Sequence, residues 1–265
     1  HKRRGNNNAN RGDSMRDFVR IFTGSDQRES VGLHVFMQSV LEKSSLPVSF
    51  TPITESFSAL VGGQRDGTNA FTYGRFLVPY LMGWEGTAIF ADGADMLCLD
   101  DIAKLWKYGQ SLESTYNKAV LVVKHDYKTS SARKYIGTEM ESQNEDYPRK
   151  NWSSLMVINC GHSSWREATP EKIASTSGND LHRFKFLRSD EHVGEIPAEW
   201  NWLVGEYPHN PDAKLVHFSL GIPGFAHNFG VDYADEWRAC HLRSQMGLQP
   251  HRIADTKQRL KVSAR

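Results

Sequence analysis

The chain has 265 residues, of which 39% are hydrophobic and 24% charged, a balance typical of a globular rather than a disordered protein. Its 32 Lys and Arg residues are matched by 31 Asp and Glu residues, and this net charge of +1 predicts no nucleic-acid partner. Without a run of about 18 apolar residues or an apolar N-terminal stretch, we expect neither a membrane span nor a secretory signal. The three widely spaced cysteines, Cys98, Cys160 and Cys240, argue against a disulfide framework or a cysteine-based zinc site, and we expect a cytoplasmic protein.

The first part of the chain predicts a β-α-β unit behind a polar tail. Residues 1–16 are basic and Asn-rich, so we expect a disordered tail there. An apolar run from Phe18 that ends in Gly, Ser and Asp predicts a buried strand followed by a loop. A second strand is predicted over residues 47–53, and this order favours a parallel α/β sheet. The helix between the two strands is predicted by apolar residues at helical spacing, namely Leu33, Phe36, Met37, Val40 and Leu41.

The rest of the chain continues this alternation of strands and helices. Residues 61–70 read as a loop, and helices are predicted over 71–83 and from Asp100 to 109. We therefore expect an α/β domain over residues 17–225, with a mostly parallel central sheet flanked by helices, and a C-terminal extension over 226–265. The remaining strands are predicted at 87–92, 119–126, 154–161 and 214–221.

Two carboxylates follow the apolar strand at 87–92. Asp92 and Asp95 lie on one short turn, with apolar residues on both sides. Unpaired carboxylates at such a place would repel each other, and a hard divalent cation would remove the repulsion. The alternative is a pair of solvated turn aspartates, with Gly93 permitting the turn.

A histidine far along the chain is a further candidate ligand. Strand alternation places His217 on the face opposite Val216 and Phe218. Imidazole is a common metal ligand, so His217 could complete a site with the two aspartates. The alternative is an ordinary half-buried histidine of the core.

Five segments in chain order carry a resemblance to a known family, namely RIFTGSDQRE, FTYGRFLVP, IFADGADMLCLDDI, NWSSLMVINC and HFSLGIPGF. Together they resemble the GT-A glycosyltransferases, which have a Rossmann-like nucleotide-diphospho-sugar transferase fold. The resemblance is to the retaining glycosyltransferase family 8, which includes glycogenin and bacterial galactosyl- and glucosyltransferases. The third segment is similar to the family's DxD metal loop, and the last to its His-Phe-x-Gly-x-x-Lys-Pro-Trp segment.

This resemblance implies a Mn²⁺- or Mg²⁺-dependent, retaining hexosyltransferase. Its donor would be a UDP-sugar of the UDP-glucose or UDP-galactose type, and its acceptor a carbohydrate or another hydroxyl compound. Asp92, Asp95 and His217 would bind the metal. The donor-binding residues would be Thr23, Ser25, Asp26 and Arg28 for the nucleoside and phosphates, Arg75 for a phosphate or the sugar, Asn151, Ser153 and Ser154 for the sugar, and Gly221 for the diphosphate.

The sequence departs from the family pattern at two places. Two residues, Gly93 and Ala94, separate the aspartates where the family has one. The family's Lys-Pro-Trp is replaced by residues 223–225, and the lysine that binds the diphosphate there could be replaced by Arg149, Lys150 or His227.

The catalytic residues are the least defined part of the resemblance. The family's Asp-Gln pair near the reacting carbon has its nearest equivalent in GNDLHRF, so Asp180 is carried over, and His182 more weakly. Asp126, at the end of the strand predicted over 119–126, could orient an acceptor hydroxyl, and the alternative is a plain salt bridge of the loop. Two other functions remain open, a non-catalytic nucleotide-sugar-binding module and a metal-dependent phosphohydrolase or nucleotidyltransferase.

Overall fold

A computed structural model of the chain describes residues 18–62, 69, 71–115 and 117–246. The predicted tail at 1–16, most of the loop at 61–70 and the end of the C-terminal extension lie outside these residues. The strands are β1 (Val19–Gly24), β2 (Val48–Ile53), β3 (Thr87–Ala91), β4 (Met96–Cys98), β5 (Val120–Val122), β6 (Arg133–Lys134), β7 (Ser142–Gln143), β8 (Leu155–Asn159), β9 (Val193–Glu195), β10 (Trp202–Leu203) and β11 (Leu215–His217). The α-helices are α1 (Ser30–Lys43), α2 (Glu55–Ala59), α3 (Val78–Leu81), α4 (Ile102–Thr115), α5 (Pro170–Ser175), α6 (Gly178–His182) and α7 (Ala234–Met246).

The centre of the molecule is a six-stranded sheet in the order β2-β1-β3-β8-β5-β9. β1 pairs in parallel with β2 and β3, and β5 pairs in parallel with β9. β8 is antiparallel to both of its neighbours, β3 and β5. The predicted mostly parallel α/β sheet is therefore confirmed, with one reversed strand in its middle.

The sheet is buried on both faces, as expected for parallel strands covered by helices. One face packs α1 and α4 against side chains such as Ile21, Ile89 and Val157. The other face carries an aromatic core that includes Phe71, Phe76 and Phe90. Because β1 and β3 are parallel neighbours, their carboxyl ends lie together at the same edge of the sheet.

A second, smaller sheet has the order β10-β11-β4 and follows directly from the turn after β3. β4 and β11 are antiparallel, with His217 opposite Met96. The backbone N–H of Phe218 donates a hydrogen bond of 2.7 Å to the carbonyl oxygen of Asp95. This pairing joins the late histidine segment to the aspartate turn.

The last described helix, α7, packs on α1. Arg243 forms an ion pair with Glu42 at 2.6 Å, and the Cys240 thiol lies 3.5 Å from the carbonyl oxygen of Val35. The part of the predicted C-terminal extension that the structure describes thus contacts the main sheet through α1. The boundary at residue 225 stays a prediction.

Some elements are shorter than the sequence predicts. The helix expected over 71–83 is a 3-10 turn over Gly74–Leu77 followed by α3, with Pro79 in the first turn of α3. The turn at Gly83 has a φ of +64°, which ends the segment. The strand expected over 214–221 ends at His217, since the chain turns again before Gly221, where φ is +131°.

The longest helices, α1 and α4, have 14 residues each, and among the described residues no helix is long and apolar enough to span a membrane. Cys98, Cys160 and Cys240 are all buried, and none of the three forms a disulfide bond.

We predict that Gly32→Ala destabilises the protein, because α1 lies directly on the aspartate turn. A Cβ at residue 32 would lie 1.8 Å from the carbonyl oxygen of Ala94, a backbone atom that cannot rotate away. We expect a loss of about 1–3 kcal/mol in urea denaturation, the usual cost of overpacking. Gly230→Ala is the control, since a Cβ there meets no atom within 4 Å, and an equal loss in both variants would contradict the prediction.

Candidate active site

A tight turn brings Asp92 and Asp95 together after β3. The N–H of Ala94 donates to the carbonyl oxygen of Asp92 at 2.8 Å, and the N–H of Met96 to that of Gly93 at 2.9 Å. Gly93 has a φ of +76°, and a Cβ there would lie 1.8 Å from Oγ1 of Thr23. The additional residue between the aspartates is therefore accommodated by a turn that requires glycine.

The three residues predicted as metal ligands form one buried cluster. One ligand atom from each of Asp92, Asp95 and His217 lies within 4.8 Å of the others. Nε2 of His217 is 3.1 Å from Oδ2 of Asp95, and all three residues are less than a tenth exposed.

The orientation of the His217 ring is determined by Asn201, which is fully buried. Nδ1 of His217 lies 3.1 Å from Oδ1 of Asn201, and the amide nitrogen of Asn201 donates to Oγ of Ser154 at 2.9 Å. Because an amide oxygen only accepts hydrogen bonds, Nδ1 carries the proton in this arrangement and Nε2 faces the cluster. Partners of this kind commonly orient metal-binding histidines.

The charges of the cluster are only partly compensated. Arg75 lies 2.7 Å from Asp92, but burial together with nearby Asp95 still raises the pKa of Asp92 to about 6. Burial also disfavours the charge on Asp95, but His217 and the Tyr135 hydroxyl reverse this and hold its pKa below the ordinary value. Burial alone would lower the pKa of His217, and Asp95 beside it raises the pKa instead.

Two carboxylate oxygens in the cluster are buried and accept no hydrogen bond, and of these Oδ1 of Asp92 lies beside the guanidinium group of Arg75. Oδ1 of Asp95 is buried and makes no hydrogen bond to any part of the chain that the structure describes. Buried polar atoms are nearly always satisfied, so this atom indicates a missing ligand. Two carboxylates and an imidazole are a donor set that fits a divalent cation.

The cluster opens into a cavity of about 710 Å³. This cavity lies where β3 ends and β8 begins, since β8 runs the other way, and ligands commonly bind at such strand ends. The predicted donor and metal residues that line it are Arg75, Asp92, Asp95, Asn151, Ser153, Ser154 and His217.

The other predicted donor-binding residues do not line this cavity. Thr23 is fully buried against the aspartate turn, and the N–H of Ser25 donates to the carbonyl oxygen of Ile53. Asp26 holds Arg28 by two side-chain hydrogen bonds of 2.9 and 2.6 Å at the end of β1. Gly221 is buried beside Asn228, whose Oδ1 would lie 2.6 Å from a Cβ at residue 221. A role for these residues stays a prediction.

Neither predicted catalytic aspartate lies at the cavity wall. Asp180 points to the surface, where its carboxylate lies 2.8 Å from the ammonium group of Lys185. Asp126 is exposed and lines a separate cavity of about 270 Å³, which shares Tyr147 and Lys150 with the larger one. The turn of α6 directs His182 inward and Asp180 outward, and a catalytic role for Asp180 stays a prediction.

His182 and a β-hairpin contribute wall residues that the sequence pattern did not indicate clearly. Nδ1 of His182 is 2.6 Å from Oγ of Ser153, and burial, with Arg75 and Lys134 nearby, lowers the pKa of His182 to about 3. The β6–β7 hairpin supplies Lys134, and the tyrosine after it, Tyr135, lines the cavity as well. Strands of two residues carry too little periodicity to be predicted from sequence. Further wall residues are Asn69, Thr72, Tyr73, Ser142, Gln143, Asn144, Glu145, Tyr147, Lys150, Gly178, Asn179, Arg183 and Ser219.

Glu29 is a further buried acid near the cluster. Its side chain is 1% exposed, and neither carboxyl oxygen has a hydrogen-bond partner among the described residues. Burial and the charges of Asp95, Asp26 and Asp92 raise its pKa to about 9, so this group is uncharged near neutral pH.

Solved structures similar to this one identify the fold of the protein. The galactosyltransferase LgtC, in complex with donor and acceptor sugar analogues, matches 89% of this chain and 99% of its own, with a TM-score of 0.52 and 12% identity. The bifunctional glycosyltransferase WbbM matches 85% of this chain but 50% of its own, with a TM-score of 0.56 and 15% identity. The glycosyltransferase GlyE of Streptococcus pneumoniae matches 85% of this chain and 61% of its own, with a TM-score of 0.52 and 12% identity. The protein therefore has the GT-A glycosyltransferase fold.

A closer relationship comes from sequence. No protein-family model matches the chain. Protein CDI of Arabidopsis thaliana is 36% identical over 240 residues, which are 86% of this chain and 88% of that protein. The chain belongs to the family of protein CDI.

We predict that Arg75→Met destabilises the protein by leaving Asp92 without its counter-charge. Both side chains are almost completely buried, and Arg75 also donates to the carbonyl oxygen of Ser153 at 3.0 Å. Removing one partner of a buried ion pair costs roughly 3 kcal/mol, measurable by urea denaturation. The double variant Arg75→Met, Asp92→Asn is expected to recover part of the loss, and a loss at least as large in the double variant would contradict the assignment.

Proposed function

We propose that this protein is a metal-dependent retaining glycosyltransferase. It would transfer a hexose from a UDP-sugar donor to a carbohydrate or another hydroxyl acceptor. The observation that carries the proposal is the buried Asp92–Asp95–His217 cluster, at a strand end of a GT-A sheet and open to a cavity large enough for a ligand.

The residues of the cluster fit a divalent cation, Mn²⁺ or Mg²⁺. Asp92 and Asp95 would supply carboxylate oxygens, including the unpartnered Oδ1 of Asp95, and His217 would supply Nε2. The cation would serve as a Lewis acid for the charge on the departing nucleoside diphosphate. Asn201 would keep the His217 ring in position through the Nδ1 hydrogen bond.

The cavity wall offers groups suited to a sugar and a phosphate. Ser153, Ser154 and Asn151 present hydroxyl and amide groups, and Arg75 brings a guanidinium group beside Asp92. The solved complex of LgtC contains both a donor and an acceptor sugar analogue, which supports transfer of a sugar from a donor to an acceptor on this fold. The nucleoside would then lie toward the end of β1, where Asp26 and Arg28 form their pair.

The acceptor would approach from the side of the smaller cavity that contains Asp126. His182 is the titratable group beside Ser153, and with a pKa of about 3 it is a weak base. A front-face reaction, in which the leaving phosphate oxygen accepts the proton of the acceptor hydroxyl, needs no strong base from the protein. The surface position of Asp180 supports this route.

The test is release of UDP from a panel of UDP-sugars, with Mn²⁺, with Mg²⁺ and with a chelator. We expect slow hydrolysis of one donor, lost with the chelator and restored by excess metal. Metal-dependent UDP binding without release, even with an acceptor panel, would favour a non-catalytic binding module. Release of inorganic phosphate without sugar would instead indicate a phosphohydrolase.

We expect Asp95→Asn and His217→Ala each to reduce metal-dependent UDP release by about a hundredfold or more while the fold is retained, because each removes a metal ligand. Asp100→Asn is the control, since Asp100 pairs with Lys104 at the start of α4. Circular dichroism verifies folding, and wild-type activity in either site variant would refute the metal assignment.

Asn201→Leu is expected to weaken Mn²⁺ binding by roughly tenfold to a hundredfold, the usual cost of losing such a partner. The measurement is calorimetric titration of the metal, with thermal unfolding as a check on the fold. Trp202→Phe is the neighbouring control, because its indole donates to the carbonyl oxygen of Pro208 outside the cluster. Unchanged metal affinity in Asn201→Leu would show that Asn201 does not position His217.

A further inference from the structure

Lys134 is a cation of the cavity wall that makes no hydrogen bond. Its side chain is half-buried, and its ammonium group forms neither a hydrogen bond nor a close ion pair with any described residue. Nζ lies 5.5 Å from the centroid of the Tyr135 ring. Burial lowers the pKa of Lys134, and the nearby charges of Asp95 and Asp92 offset this only in part.

The hairpin that carries Lys134 is held from several sides. Arg133 pairs with Glu141 at 2.6 Å across the hairpin. The N–H of Tyr135 donates to the carbonyl oxygen of Leu220 at 2.8 Å, and its hydroxyl donates to Oδ2 of Asp95 at 3.1 Å. These contacts fix the backbone around Lys134 next to the metal cluster before any ligand arrives.

Three other cations near the cavity already have partners, whereas Nε of Arg183, which also lines the cavity, makes no hydrogen bond to any described residue. Arg75 is paired with Asp92, and Arg149 with Asp190 at 2.8 Å. The ammonium group of Lys150 donates to Oδ1 of Asn144 at 2.6 Å and to the carbonyl oxygen of Glu145 at 2.8 Å. Lys134 therefore differs from Lys150 in the same cavity, because its charge is not taken up by a hydrogen-bond acceptor.

The charges of the loaded site are consistent with a diphosphate. Asp92 and Asp95 together balance one divalent cation, and Arg75 and Lys134 then remain as positive charges beside them, with Lys150 and Arg183 on the same wall. The diphosphate of a nucleotide sugar carries two negative charges, so its arrival would compensate part of this positive charge. Without the diphosphate, Lys134 and the cation would repel each other across a poorly solvated cavity.

We propose that Lys134 binds the diphosphate of the donor and thereby makes nucleotide binding and metal binding depend on each other. This inference rests on the proposed function, since it requires a nucleoside diphosphate in the cavity. The ammonium group opposes the metal when the cavity holds no phosphate, and it donates charge-assisted hydrogen bonds once phosphate oxygens are present. The role of Lys134 is binding and positioning, and it has two measurable effects. Lys134 lowers the affinity for the metal when no phosphate is bound, and it raises the affinity for the nucleotide.

The experiment is calorimetric titration of the full chain and of Lys134→Met with Mn²⁺ alone, and then with UDP at saturating Mn²⁺. We expect Lys134→Met to bind Mn²⁺ alone more tightly than the wild type, because a neighbouring positive charge is removed. UDP affinity is expected to fall by about tenfold or more, the value of one charge-assisted hydrogen bond. Lys134→Arg retains the charge and should lose less UDP affinity.

Lys150→Met is the matched control in the same cavity, and it should alter UDP affinity less than Lys134→Met. A parallel loss of Mn²⁺ and UDP affinity in Lys134→Met would indicate a structural role and overturn the inference. Unchanged UDP affinity in Lys134→Met, with wild-type protein that binds UDP, would overturn the inference and leave the proposed function standing. Wild-type protein that binds no UDP with Mn²⁺ would overturn both.

Discussion

Two buried carboxylates at one turn are the constraint on which the rest of the site depends. Asp92 and Asp95 are each less than a tenth exposed and are separated by two residues. Like charges so placed raise each other's pKa unless counter-charges are supplied. The surroundings supply them unequally, with Arg75 at Asp92 and His217 at Asp95. Oδ1 of Asp95 is left without a hydrogen bond from the described residues, and this buried acceptor is the atom that a cation would satisfy under the proposed function.

The turn can hold this arrangement because backbone pairing on both sides fixes it. β3 lies in the large sheet and β4 in the small one, so the aspartates bridge two sheets. The N–H of Asp92 donates to the carbonyl oxygen of Ser154, which ties the turn to the serine segment of the cavity wall. Gly93 permits the turn to lie close to Thr23 of β1, and Gly32 permits α1 to lie close to the carbonyl oxygen of Ala94. The site is thus built on rigid elements, as precise ligand geometry requires.

The fold and the family leave different questions to experiment. The GT-A fold is shared with glycosyltransferases at 12–15% identity, a level at which fold does not specify donor or acceptor. Membership of glycosyltransferase family 8 and the cytoplasmic location stay predictions. Within the proposed function, Ser153 with its partner His182 would contact the sugar, the part that differs between donors, whereas Lys134 would contact the diphosphate that they share.

Local sequence pattern was sufficient for the elements that depend on neighbours in the chain. The apolar spacing predicted β1, α1, β2 and the buried β3, because burial of a strand or a helix face follows from the residues themselves. Leu41 shows the limit of this argument, since it keeps the helical spacing but is 54% exposed. The pattern also marked Asp92 and Asp95, since two acids after an apolar strand are chemically conspicuous.

The tertiary structure alone decided which distant residues meet. Asp95 and His217 are 122 positions apart, and their contact depends on the antiparallel pairing of β4 with β11. The same holds for the hairpin that delivers Lys134 and for the direction in which Asp180 points. Periodicity reports that a side chain is buried, but it carries no information about the partner strand, because pairing is set by loop paths and by packing of the whole sheet.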